Sequence, residues 1–344
     1  MVTRNFTTRN GTTLPFSTVG LGTAPLGDLY EKLDEIAAIA TIEAAYAGGV
    51  TLFDTSPHYG NGLAEVRLGS GLRRADRSRV IISTKVGRVM DPMAKPEAQK
   101  GDVISPGFAG YFPHKARFDY SYDGTMRSIE QSLLRMGLDR LDIVLIHDCD
   151  VWTHGEADAP LRFKEAMDGA YKALDRLRSE KLIAAIGVGV NESDIAAKFA
   201  KTADFDVMML AGRYSLLVQN ALDEFLPLAQ KKNIGVMLAG VFNSGILATG
   251  AIPGARFNYV PASSEMLERV KKIESICHRH QTSIRQAALQ FSLGHPSVVS
   301  VVLGAVKAEE IQSNLADSAI TAPAALWDDL KISGLLDATA PTPL

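Results

Sequence analysis

Eight short apolar runs recur along the chain, each parted from the next by a stretch with helical spacing, and this beat constrains the fold more than any other feature. The runs begin near Thr18, Val50, Val80, Ile143, Ile183, Val207, Val236 and Val298. Several, such as 143–146 and 207–210, are almost continuously apolar, as parallel strands covered on both faces must be. Alternating strands and helices build a parallel sheet, and eight such units with no linker favour one closed barrel over a doubly wound sheet. The expected fold is therefore an α/β (β/α)8 TIM barrel in one domain, residues 1–344. With 344 residues the chain exceeds the roughly 250 of a typical barrel, which leaves room for added loops.

Three additions to the barrel are expected. Residues 4–16 alternate polar and apolar around Asn10-Gly11, a strong hairpin signal, so an N-terminal β-hairpin within 1–17 is placed to plug the barrel's amino end. The stretch 87–122, after the third strand, is too long for a plain connection and carries Phe108, Tyr111, Phe112, Phe118, Tyr120 and Tyr122. It either folds over the mouth as an active-site loop or packs along the barrel side. Residues 318–344 form a C-terminal tail with a helix near 324–334. Between the strands, Asp34 caps a helix that ends at Gly48-Gly49, and further helices are expected over 63–72, 124–136, 162–179, 193–201, 219–231, 263–280, 283–293 and 307–316.

Chemistry concentrates at the strand ends. The run that reaches Phe53 ends on Asp54, and Ser56-Pro57 then forces a non-helical path that carries Tyr59 outward. Alone, this pair describes a turn cap and a surface Tyr equally well. The next run closes on Lys85 and the one after it on His147. A Lys ending a buried strand needs a counter-ion, which Asp54 supplies, and the cation favours the Tyr59 phenolate, lowering its pKa from about 10. His147 then orients a substrate oxygen towards the Tyr.

On Asp54, Tyr59, Lys85 and His147, and on Val19-Gly20-Leu21-Gly22-Thr23 and Phe53-Asp54-Thr55-Ser56-Pro57-His58-Tyr59-Gly60, the chain resembles the aldo-keto reductase superfamily. The likeness runs to Gly304. Within it, 186–191, 211–214 and 242–247 look like the aldose 1-dehydrogenase group, which includes L-fucose, D-threo-aldose and L-galactose dehydrogenases and a pyridoxal 4-dehydrogenase. The resemblance implies a barrel whose four named residues are catalytic and whose cofactor is a nicotinamide dinucleotide. Neither GxGxxG after a strand nor GxxxxGK[ST] occurs, so no other nucleotide fold competes.

The cofactor residues come from the resemblance. Gly22 and Thr23 close the first strand, Asn191 is placed to bond the carboxamide, Tyr214 or Phe242 to stack on the ring, and Asn243, Ser244, Gly245 and Leu247 to offer backbone N–H groups to the pyrophosphate. Two departures stand out. Asn191 falls one position later than the Ser-Asn of many members, and Ala211 stands where a Gln is common. After the eighth strand, where NADP-using members carry Lys-Ser, Arg and Asn, this chain has Gly304-Ala305, Glu310 and Asn314. Glu310 would repel a 2′-phosphate and accept from a ribose hydroxyl instead, so NAD is the expected cofactor.

A formal net charge of −3 gives no reason to expect nucleic acid or an anionic membrane as partner. The two cysteines, Cys149 and Cys277, show no CxxC or metal-ligand spacing, and no metal is expected. The polar N-terminus lacks the apolar core of a signal peptide, and no apolar run reaches the length of a membrane span, which makes the cytoplasm the expected location. No oligomeric state follows from the sequence. The expected activity is NAD-dependent oxidation of the anomeric hydroxyl of an aldose to its lactone, with Tyr59 as base. Oxidation of pyridoxal to 4-pyridoxolactone is the rival, and a non-catalytic dinucleotide-binding barrel the alternative from another class.

Overall fold

In a computed structural model, which describes residues 1–93 and 107–343, the eight runs form eight strands: β1 (Val19–Gly22), β2 (Leu52–Asp54), β3 (Ile81–Val86), β4 (Ile143–His147), β5 (Ala185–Val190), β6 (Val207–Ala211), β7 (Gly235–Ala239) and β8 (Val298–Gly304). Each strand pairs in parallel with its neighbours in sequence, and β8 pairs with β1, so the sheet closes into a barrel. The near-continuous apolar runs divide by parity into two cores. Leu52, Ile81, Ile143, Leu145, Met209 and Met237 fill the barrel interior. Their neighbours in sequence, among them Phe53, Ile82, Val144, Met208 and Leu238, pack outward under the helices. At about 25 cal/mol per Å² of buried apolar surface, this double coverage is the main stabilising term.

The N-terminal hairpin forms as expected. Thr3–Thr7 pairs antiparallel with Thr13–Ser17, and Phe6, Leu14 and Phe16 join the interior core at the end where the strands begin. Asn10 holds the turn against the barrel, its Nδ2 donating to Arg178 O at 3.2 Å and Ile183 O at 3.1 Å.

Helices cover the outside. Asp34 caps Glu35–Ala47 by accepting from Ala37 N, and Ser283 with Gln286 forms a capping box on Ile284–Leu293. The helix expected over 162–179 differs: helical backbone begins at Val151, passes through a break at Gly155 (φ 72°), and takes a π turn over Ala166–Ala170 before ending at Ser179. Gly155 and Pro160 mask the first part, being poor helix residues at positions the surrounding fold nonetheless holds. The helix expected over 219–231 is shorter, a 3-10 turn at Asn220–Leu222 followed by Phe225–Lys232. In the tail, Ala324–Ile332 docks beside Ser264–Arg279, with Trp327 buried and Asp329 bonded to His280 Nε2 at 2.8 Å.

After β3, Arg88–Pro92 and His114–Phe118 form an antiparallel ribbon in which Arg88 pairs with Phe118. The middle of this insertion, 94–106, lies outside the described residues. Among the described residues of the insertion, Phe108 makes a β-bridge to Leu29 beyond β1, and Phe108, Ala116 and Phe118 border the cavity at the mouth. No helix among the described residues is long and apolar enough to cross a membrane.

Candidate active site

Register sets the site. Gly22 of β1 pairs with Asp54 of β2, and Asp54 with Ser83 of β3, so Asp54 ends its strand level with the middle of β3. Lys85, two residues beyond Ser83, faces the same way, and His147, two beyond the interior Leu145, joins it from β4. Lys85 Nζ lies 2.5 Å from Asp54 Oδ2 and donates to Thr55 O at 2.7 Å; Asp54 Oδ1 accepts from Ser83 Oγ at 2.8 Å.

Tyr59 reaches the same place by a tight turn. Gly60 (φ 61°), Asn61 (φ 52°) and Gly62 (φ 96°) are all left-handed. A Cβ on Gly60 would stand 2.6 Å from Gly27 O, and one on Gly27 would stand 2.7 Å from Tyr59 C. Two backbones touch there, and the contact fixes where the phenol points. Lys85 Nζ sits 4.8 Å from the Tyr59 ring centroid, and the His147 ring meets it edge-on at 6.1 Å. All four residues expected to share a site thus line one cavity of about 520 Å³ at the carboxyl ends of the strands.

The electrostatics depart from expectation at one point. Burial opposes the charge on Lys85, but Asp54 and Tyr59 outweigh it and hold the pKa above its ordinary value. Burial raises Asp54, with Lys85 and Ser83 pulling it back. The 2.5 Å contact between Lys85 Nζ and Asp54 Oδ2 makes the two a buried ion pair. Tyr59 was expected to fall below 10, yet burial pushes it up to about 12, and Lys85 recovers only part of that, with Asp54 acting against it. His147 lies well below 6.5 through burial and the charges of Lys85 and Arg88, so its imidazole is neutral.

Several lining residues were not singled out from sequence. Arg88 pairs with Asp148 at 2.8 Å and stacks on Phe118 at 4.4 Å. Asp148 adopts φ 50° immediately after β4, which turns its carboxylate to 3.3 Å from His147 Nε2. Trp152 and Phe108 complete an aromatic wall with Phe118. The signal for Asp148 was its place beside a strand-end His; Arg88 gave none beyond lying three residues past Lys85.

The cofactor residues are only partly brought together. Gly22, Asn191 and Gly304 line the cavity. Thr23 lies buried beside Gly22 with Oγ1 unbonded, an orphaned polar group of the kind a ligand satisfies. A side pocket shares Asn191, Ala211 and Tyr259 with the main cavity and adds Asn243, Ser244 and Arg213. Tyr214 is directed elsewhere: its ring packs at 4.9 Å on Phe291 in the outer shell. Phe242 packs against that shell too, so neither borders the cavity. The N–H groups of Asn243, Gly245 and Leu247 donate to Gly240 O and Phe242 O, closing the turn on itself rather than pointing at a ligand. Ala305 and Asn314 are buried, and Glu310 is exposed with Oε2 accepting from Val306 N at 2.9 Å. The residues present fit a dinucleotide along the β1, β5, β6 and β8 ends, with Arg213 the cation nearest the side pocket.

A closed parallel barrel with a deep cavity at the carboxyl ends of its strands is the architecture of a barrel enzyme. The chain belongs to the aldo/keto reductase family, whose sequence profile matches residues 18–332. Pyridoxal 4-dehydrogenase of Microbacterium luteolum is 38% identical over 329 residues, covering 94% of this chain and 96% of that protein. D-threo-aldose 1-dehydrogenase of a Pseudomonas species is 35% identical over 333 residues, 96% of each. Among solved structures, glycerol dehydrogenase from Gluconobacter oxydans matches with a TM-score of 0.74 over 99% of this chain and 97% of that one; at 20% identity the likeness bears on the fold alone. The chain is an NAD(P)-dependent aldo-keto reductase-type oxidoreductase, and the non-catalytic alternative is set aside.

Proposed function

We propose that the protein is an NAD-dependent dehydrogenase that oxidises the anomeric hydroxyl of an aldose of the L-fucose, L-galactose or D-threo-aldose type to its lactone. The observation that carries this is Tyr59 held over the Lys85–Asp54 pair, with the neutral His147 facing it across one cavity. His147 bonds the C1 oxygen, and Tyr59 takes the hydroxyl proton as the C1–O bond becomes the lactone carbonyl. Lys85 favours the phenolate, and Asp54 keeps Lys85 charged and fixed. NAD, when bound, supplies the acceptor for the hydride that leaves C1. Gly22, Asn191 and Gly304 would hold its nicotinamide half, and Arg213 and Ser244 its phosphates.

A second reading is favoured by the 38% relative and by the aromatic wall of Phe108, Phe118 and Trp152. Pyridoxal in its cyclic hemiacetal form presents the same reacting group on an aromatic ring, and oxidation gives 4-pyridoxolactone. One assay tests both: aldoses and pyridoxal are offered with NAD, and the product is identified. A sugar lactone formed with pyridoxal inert supports the first reading, 4-pyridoxolactone with sugars inert replaces it by the second, and no reduction of NAD with any of them overturns both.

The preference for NAD rests on Gly304, Ala305 and Glu310. Unmodified protein is expected to show higher kcat/KM with NAD than with NADP, and Glu310→Arg to move the ratio towards NADP. The variant also loses the bond to Val306 N, so a small fall in Tm, worth about 1 kcal/mol, accompanies the switch. Equal or better kcat/KM with NADP for the unmodified protein would overturn the assignment.

A further inference from the structure

Arg88 lies at the root of the insertion, one residue beyond Gly87, where the chain turns at φ 109° with Tyr120 packed so close that a Cβ would strike its ring. Its guanidinium is nearly buried, sandwiched between the Asp148 carboxylate and the Phe118 face. The same Nη1 that pairs with Asp148 also lies 3.4 Å from His147 Nδ1 with hydrogen-bond geometry. Ser56 Oγ is 3.2 Å from that nitrogen and already accepts from His58 N.

These contacts differ in what they permit. A hydroxyl donates or accepts, so Ser56 is compatible with either tautomer of His147. A guanidinium has only donors and stays protonated, so Arg88 cannot face an Nδ1–H without setting two N–H groups against each other. The acceptor lone pair must lie on Nδ1, which leaves the proton on Nε2, the nitrogen that faces Asp148 Oδ1 at 3.3 Å.

We propose that Arg88 is a positioning residue that fixes His147 in the Nε2–H tautomer, so that the imidazole always presents a donor to the reacting oxygen. The proposal rests on the reading of His147 as the group that bonds that oxygen. It also gives the buried Arg88–Asp148 pair a function: Asp148 anchors the guanidinium at 2.8 Å, and Arg88 holds Nδ1 from behind, leaving the Nε2–H for the substrate oxygen. Without Arg88, a proton on Nδ1 is tolerated by Ser56, and the ring then offers a lone pair to the substrate oxygen, a repulsive contact. Tyr120 braces the arrangement by donating to His147 O at 2.8 Å.

Nitrogen-15 NMR of the imidazoles in the free, full-length protein tests this, with His147→Asn assigning the signal. The expected spectrum shows Nδ1 as an unprotonated acceptor and the proton on Nε2. Nδ1–H in the unmodified protein overturns the proposal outright, whatever the activity. Arg88→Met is expected to divide the proton between both nitrogens and to lower kcat in proportion to the Nε2–H fraction lost, about twofold where the two forms are equally populated, while the KM for NAD holds. A tautomer unchanged in Arg88→Met overturns it too, since Ser56 alone would then suffice. Should Arg88→Met not fold, Arg88→Lys keeps a donor-only cation and is expected to keep the Nε2–H form; an Nδ1–H form there counts against the proposal. The two readings fail separately. If Tyr59→Phe retains turnover, the dehydrogenase mechanism falls while the tautomer still stands, and an Nδ1–H ring beside normal lactone formation is the reverse case.

Discussion

Tyr59→Phe is expected to lower turnover about 10²- to 10⁴-fold, the usual range for removing a positioned acid-base group, while dinucleotide binding survives. The substitution removes one oxygen and leaves the ring. That ring lies against Phe108 and His58, each with centroid 6.3 Å away, and Lys85 remains beneath it. Packing at the mouth is thus preserved, and a loss of rate cannot be put down to a collapsed cavity. The Gly27–Gly60 backbone contact that aims the side chain is untouched. Stopped-flow measurement of hydride transfer together with a binding titration of NAD separates the two effects. A variant that turned over near the unmodified rate would remove Tyr59 from the mechanism.

Why the four residues were legible in sequence while their electrostatics were not follows from what each depends on. Asp54, Lys85 and His147 each end an apolar run, and parallel strands in a barrel bring their carboxyl ends to one rim, so the run boundaries alone place them together. The Tyr59 pKa depends on how much water the mouth excludes, a quantity set by the insertion and the loop after β1, neither of which the strand pattern describes. Parity also stops being readable once a strand ends. Beyond β6 the chain turns at Gly212 (φ 70°), and Tyr214 comes out facing Phe291 rather than the cavity. Beyond β7, Asn243, Ser244 and Gly245 are all left-handed, and several of their amides are consumed within the turn. Asp148 reaches the site through one left-handed residue, a conformation with a small intrinsic cost that no local pattern announces.

Lys85→Met is the second large effect, and its direction differs between the two senses of the reaction. With Lys85 present, burial still leaves the Tyr59 phenol at about 12. Removing the cation deletes the largest influence that lowers it, so the pKa rises further. In oxidation the active form carries the phenolate, so in unmodified protein the rate climbs with pH, about tenfold per unit where the phenol is mostly protonated. In the variant that climb begins at higher pH, and at any fixed pH the rate falls about tenfold for each unit of added shift. In reduction Tyr59 donates its proton and is already protonated at neutral pH in both proteins, so the loss there is expected to be smaller. The substitution also leaves Asp54 buried without its cation, at a typical cost of about 3–5 kcal/mol for an uncompensated buried charge, less whatever is recovered when the carboxyl takes up a proton. Lys85→Met with Asp54→Asn separates the two consequences: the double variant is expected to regain thermal stability while its oxidative rate stays low. If the double variant recovered both, Lys85 would be structural only. A pH profile unchanged by Lys85→Met, with hydride transfer rate-limiting, would exclude the phenolate as the base.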